Sequence, residues 1–450
     1  MKKSGMTSFN YMIIKLIIFS GSFLMFNSCI VKKNPTLLIG TSNARVTVET
    51  STCLECHSEE MPGLVNLWKS GSHGKEGVGC FECHGAKPTD LDAMEHNGFI
   101  IAIIVSPADC SVCHEQQATE FLHSHHSKAG EVLGSLDNYL GEIVEGIPAS
   151  VSGCQACHGS FVEVEENGEL NAATWPNFGV GRVNPDGTSG SCAACHSRHT
   201  MTKAQARDPD TCGKCHLGPD HPQIEIFRSS KHGMAYINFK DEMNMTSDQW
   251  IPGVDYNSAP TCATCHLSET RNLPVTHDIG ERLSINIRAA ISFPTQNSEE
   301  KRDRMKDVCL SCHSFDYVDN FYKQYDAGVD LYNNKFAIPA TEVMEELRAE
   351  GLVDSIQFNE EIEWAYFHLW HHEGRRARNG FAMLSPDYVQ WHGMYEVAER
   401  FYFELLPEAE HYKPGIMDEI MLRPEHRWFY GDLDDTTREE VTKIESEKYK

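Results

Sequence analysis

Eight times along the chain, two cysteines stand two residues apart with a histidine directly after the second. In chain order these motifs one to eight are Cys53/Cys56/His57, Cys80/Cys83/His84, Cys110/Cys113/His114, Cys154/Cys157/His158, Cys192/Cys195/His196, Cys212/Cys215/His216, Cys262/Cys265/His266 and Cys309/Cys312/His313. They use sixteen of the seventeen cysteines. Two thiols and an imidazole at this spacing suit a covalently attached c-type haem: the thiols add to the two vinyl groups and the histidine binds iron from the proximal side. Zinc ribbons give no reason for a histidine after every second cysteine. A disulfide framework fails on the same point, and a thioredoxin-like motif does not recur eight times. The expected cofactor content is eight c-type haems.

Haems that only pass electrons are usually six-coordinate, commonly through two histidines. Beyond the eight motif histidines the chain has fifteen more, so the count permits a distal ligand at every iron. His199 follows His196 by three residues. So short a chain cannot pass from one haem face to the other, so His199 is expected at a neighbouring haem. The segment from Gly159 to Ser191 contains no histidine at all. Motif six continues as "CGKCHLGPDHPQIEIFRSSKHG", where Asp220 stands beside His221. A carboxylate next to an imidazole near an electron-accepting iron is a sensible proton source.

The elements that must position these groups differ along the chain. Motif spacings vary between 20 and 50 residues, which excludes a solenoid. The motif-bearing stretch is rich in Gly, Ser, Asn and Asp and short of long apolar runs. Short helices and loops wrapped around porphyrins, with little sheet, are expected. After motif eight, "NEEIEWAYFHLWHHEG" reads as a helix from a capping Asn359 to a stop at Gly374. In "SPDYVQWHGMYEVAERFYFELL", Ser385 and Pro386 open a helix with an apolar stripe of Tyr388, Trp391, Tyr395, Ala398, Tyr402 and Leu405. The fold class is mainly α: a haem-packed N-terminal domain over 29–312 and a C-terminal domain of long helices over 313–430. A charged tail follows over 431–450. At the start, Lys2 and Lys3 precede an apolar run and then Ser28-Cys29. This suggests a lipoprotein-type signal peptide over 1–28 and a periplasmic protein anchored through lipidated Cys29. The formal net charge of −26 makes nucleic acid an unsuitable partner and a basic redox partner a suitable one.

Motif order and flanks resemble the octaheme hydroxylamine oxidoreductase family and, in part, the pentaheme ammonia-forming nitrite reductases. The segments that carry the resemblance are "CLECHSEEMPGLVNLWKSGSH", "CAACHSRHTMTKAQARDP", "CGKCHLGPDH" with "SSKHG", "APTCATCHLSETRNLPVTHDI" and "CLSCHSFDYVDNFY", spread over about residues 50 to 410. The resemblance implies that the fourth haem, with His158 proximal, is catalytic and open on its distal face, with Asp220 and His221 above it. It implies distal ligands at His73, His96, His199, His232 and His277, and at His372 by its spacing ahead of Ser385-Pro386. One more falls on the His125/His126 pair, taken as His125. A second pocket tyrosine aligns with Phe321 or Tyr322, taken as Tyr322. Hydroxylamine-oxidising members cross-link a tyrosine to the catalytic haem. That position falls near Gly380, and no tyrosine stands between Tyr366 and Tyr388. Members lacking it are thought to run reductively.

The expected function is therefore reduction of nitrite or hydroxylamine to ammonium at the fourth haem. The partner would be a quinol-linked or soluble cytochrome, and the family's homotrimer is the expected assembly. Oxidation of hydroxylamine or hydrazine is the first alternative, and a non-catalytic electron conduit the second.

Overall fold

Caps start the short helices that carry the motifs. Thr47 opens the Val48–Glu60 helix by accepting the Thr50 amide at 3.3 Å. Asp208 accepts the Asp210 amide at 2.9 Å, with Pro209 in the first turn of Pro209–Gly213. Thr261 and Thr264 exchange amide-to-hydroxyl bonds of 3.3 and 2.9 Å ahead of Cys262–His266. Each cap satisfies amides that a short helix leaves without partners. The computed structural model describes residues 46–134 and 139–431 and the single positions Glu439, Lys443, Glu447 and Lys448. The expected signal peptide, Cys29 and most of the charged tail lie outside the described residues. Among those described, no helix is long and apolar enough to cross a membrane.

The fold is mainly α, with two short antiparallel pairs. Met94–His96 pairs with Phe99–Ile101 across Asn97-Gly98, both at positive φ (50° and 86°). Asn-Gly is the sequence that a two-residue hairpin turn of this kind prefers. This hairpin carries His96. Ile285–Asn286 pairs with Phe293–Pro294.

The C-terminal region builds a core of its own. The Phe315–Tyr332 helix runs on through Asn333–Ala337 into Ile338–Ala349. Another runs from Glu361 to Met383, and a third from Pro386 to Tyr412. Their inner faces bury Tyr332, Leu347, Ile362, Leu369, Phe401, Leu405 and Leu406 almost completely. Each such side chain contributes about 1.5–3 kcal/mol by leaving water. Pro148, Pro339 and Pro407 each stand just after a wide, π-type turn: Leu140–Gly146, Asn333–Ala337 and Phe401–Leu405. A proline lacks the amide and crowds the carbonyl four residues back, and a widened turn absorbs both.

Two helix expectations need correction. Gly374 does not stop its helix, which continues to Met383 and ends at Leu384 in the left-handed conformation. A Cβ on Gly374 would lie 2.4 Å from the Tyr332 hydroxyl, so the glycine serves close helix packing. Of the expected stripe, Tyr402 and Leu405 are buried but Trp391 and Tyr395 are 60% and 50% exposed. The buried face instead runs through Gly393, Val397 and Phe401.

Candidate haem array and active site

In each motif the cysteines at i and i+3 and the histidine at i+4 fall on one side of a single helical turn. The backbone shows this turn directly: the amides of His114, His196, His216 and His313 donate to the carbonyls of Cys110, Cys192, Cys212 and Cys309 at 2.9–3.0 Å. None of the sixteen motif cysteines is buried.

The histidine rings pair off. Centroids are 6.0 Å apart for His57 and His96, 6.1 Å for His114 and His73, 6.4 Å for His84 and His199, and 6.0 Å for His313 and His232. His216 has His126 at 6.1 Å. Metal–imidazole bonds of about 2.0–2.1 Å, with each ring centre roughly 1.1 Å behind its nitrogen, put two axial imidazoles about 6 Å apart. The pairs therefore fit an iron between them. Burial pushes His126, His196 and His266 down to about 4. They are thus neutral, which is the form that ligates metal. Proximal rings are also oriented from behind: His84 Nδ1 lies 2.9 Å from the Ala102 carbonyl and His158 Nδ1 lies 3.3 Å from that of Ala129. Such outer bonds fix ring orientation at metal sites.

Three expected ligands sit differently. His126, not His125, faces His216; the His125 ring instead packs beside Gly280. His277 is the strongest electrostatic neighbour of His196, and its amide donates to Glu120 at 2.9 Å. The ring contacts of His372 among the described residues are Phe367, His368 and His371, and no proximal histidine is among them.

Neighbouring cysteines reveal the order of the array. Cys53 lies beside Cys80, Cys110 beside Cys192, and Cys212 beside Cys262. Cys83 and Cys110, Cys195 and Cys212, and Cys265 and Cys309 are electrostatic neighbours. Motifs one, two, three, five, six, seven and eight thus form a row. Motif four joins it from the side, through Cys157 and Cys215.

Both thiols of a motif can take part in this chain of neighbours: Cys113 as well as Cys110 acts on Cys83. In motif three it is Cys110, not Cys113, that reaches Cys192. Cys113 is exposed next to Val112, which is 83% exposed, and it is the weakest of the charges that act on Cys83. Both thiols still stand within the attachment turn, the Cys113 amide donating to the Cys110 carbonyl at 3.2 Å.

The side branch at motif four has distinct surroundings. The histidine-free segment folds back onto it by backbone approaches that only glycine allows: a Cβ on Gly179 would lie 1.9 Å from the Gly159 amide. Among the described residues no ring stands opposite His158. Asp220 and His221 are present at this junction. His221 Nε2 lies 3.2 Å from Asp220 Oδ2, and His158, Asp220 and His221 all act electrostatically on His216. His221 Nδ1 is buried without a hydrogen-bond partner among the described residues. The His221 ring also lies edge-on to His216 at 5.8 Å.

Sequence reasoning missed Arg375, whose Nη1 is 3.8 Å from Asp220 Oδ2. Its guanidinium covers the Trp370 ring at 5.1 Å and donates to the Arg288 carbonyl. A contact between residues 155 positions apart leaves no local signal. It also missed Gln223, which orients His216 Nδ1 at 3.2 Å. Tyr322 is not brought together with Asp220 and His221. It packs with Val318, Tyr325 and Val329 under Arg302 and Lys306, beside Cys309 and Cys265. Its helix places it in that cluster.

The chain is similar to known proteins. The family model described as "Seven times multi-haem cytochrome CxxCH" matches residues 75–360, and one for "Cytochrome c554 and c-prime" matches residues 32–85. A "Probable nitrite reductase-hydroxylamine oxidoreductase fusion protein" of Kuenenia stuttgartiensis is 26% identical over 337 residues. The match takes in 61% of this chain and 35% of that protein, so the chain spans about a third of the length of this curated relative. A solved "Hypothetical multiheme protein" superposes with a TM-score of 0.72 at 25% identity, covering 82% of this chain and 95% of that one. The Kuenenia stuttgartiensis "reducing HAO-like protein complex" superposes with a TM-score of 0.61 at 21% identity, covering 83% and 87%; at that identity the likeness is one of fold.

Proposed function

Because the chain belongs to the multihaem c-type cytochromes, of the hydroxylamine oxidoreductase-like kind, we propose that it reduces nitrite or hydroxylamine to ammonium at motif four. The observation that carries this reading is the arrangement around His216. His126 already faces His216 at the spacing of an axial pair. His221, with Nε2 turned to Asp220, is left to serve motif four.

In this reading eight haems are held by the sixteen cysteines, Cys56 and Cys113 included, and by eight proximal histidines. His96, His199, His73, His126 and His232 complete motifs one, two, three, six and eight, and His277 serves motif five. When bound, the haem of motif four supplies an iron position for the substrate nitrogen and a route for electrons. The residues above it supply protons. Asp220 accepts the Nε2–H of His221, which leaves Nδ1 as the atom that holds and releases a proton toward the substrate. Arg375 adds positive charge on the same carboxylate oxygen, which suits an anionic substrate such as nitrite.

The reductive direction is supported by Gly380. A Cβ there would meet the Tyr388 carbonyl carbon at 2.6 Å, so a tyrosine does not fit at the position where oxidising members carry theirs. The same reading includes export with lipidation at Cys29, a cytochrome electron donor and a homotrimer. The test is a paramagnetic resonance spectrum of the fully loaded chain combined with turnover in both directions. A high-spin iron at motif four, and ammonium formed from both substrates, are expected. An all-low-spin spectrum would identify a conduit. Faster hydroxylamine oxidation than reduction would reverse the direction.

A further inference from the structure

Arg282 is 3% exposed, yet among the described residues no carboxylate lies within ion-pair distance of it. Its donors go to backbone carbonyls: Nη1 to Cys265 at 3.1 Å and Thr264 at 3.5 Å, and Nη2 to Ser268 at 2.7 Å. The nearest acidic influence is Asp307, whose two oxygens accept from Thr270 and Asn272 at 2.5 Å each. Arg182 is equally buried, but Asp186 and Asp92 act on it. Arg282 is thus a fixed cation set against the last turn of Cys262–His266, the attachment of motif seven. Burying a charge without a counter-charge is costly, and its field is weakly screened there.

An iron that takes up an electron loses one unit of positive charge, so a nearby fixed cation favours the reduced state. We infer that Arg282 tunes the haem of motif seven, raising its reduction potential so that it holds electrons one step from motif six. Motif six is where motif four joins the row. The inference requires only that the haems are bound, and it stands whichever way turnover runs. The competing role is structural: Arg282 as a cap on three carbonyls, for which a neutral donor would serve.

The test uses the full chain with its haems, titrated electrochemically with spectra recorded at each potential, and haem content measured by mass. In Arg282→Gln one component of the titration should move to lower potential, by about tenfold or more in its reduction equilibrium, while the others stay. Arg282→Lys, which keeps the charge, should remain near the parent. Asp307→Asn removes the opposing charge and should move the same component upward; this variant decides the matter if Arg282→Gln fails to load eight haems. A fully loaded Arg282→Gln protein with unchanged potentials would reduce Arg282 to a cap. So would an Arg282→Lys shift as large as that of Arg282→Gln, or an Asp307→Asn protein without an upward shift.

Discussion

Motif six and motif four are joined through Cys215 and Cys157, yet their surroundings differ in kind. Motif six lies between two imidazoles, His216 and His126, the latter buried and pushed down to about 4 by that burial. Motif four has His158 and glycine-dense backbone packed against its turn, and an imidazole tied to a carboxylate stands at its junction with motif six. In our reading, the difference lets the same attachment sequence serve two chemistries. Which one results depends on whether the next histidine arrives as a bare, neutral ring or with a proton partner attached.

The comparison breaks most visibly at His126. In our reading His126→Ala should convert one low-spin iron to high-spin, with eight haems still attached; magnetic resonance would show it, and an unchanged spectrum would remove His126 from the ligand set. His221→Ala should leave the spin states alone and lower turnover of nitrite and hydroxylamine by about a hundredfold or more, the range for a lost general acid. A newly opened iron in that variant, with activity kept, would exchange the roles of the two histidines. Asp220→Asn should cost less, about tenfold in turnover measured with both substrates, since it loses part of a charge-assisted hydrogen bond worth roughly 1.5–3 kcal/mol. The smallest effect is expected at Arg375. Arg375→Gln should raise KM for nitrite by about fivefold, as lost attraction of an anion does, and leave KM for uncharged hydroxylamine unmoved. Equal changes for both substrates would assign Arg375 to structure.

Much of the attachment chemistry was legible because it is local: a cysteine, a cysteine and a histidine within five positions need one helical turn and nothing else. His199 could be sent away from His196 by reach alone, but that it would face His84 depends on chain folded from elsewhere. His125 and His126 are adjacent, so sequence could not say which ring points to His216; the structure turns His126 inward. Tyr322 read as a pocket residue because alignment carries no burial, and its helix packs it against Val318 and Tyr325. Gly374 read as a stop because glycine usually ends helices, whereas the Tyr332 hydroxyl had already claimed the space of a side chain. Asn97-Gly98 was a readable hairpin turn, overlooked among so many short loops.

The side junction of motif four has a consequence for traffic. In our reading, charge entering near motif one can reach motif eight without calling at the substrate. A poison that blocks motif four should stop chemistry while leaving end-to-end conduction intact. The row then acts as a bus bar, kept filled between turnovers, from which a multi-electron reaction draws in quick succession.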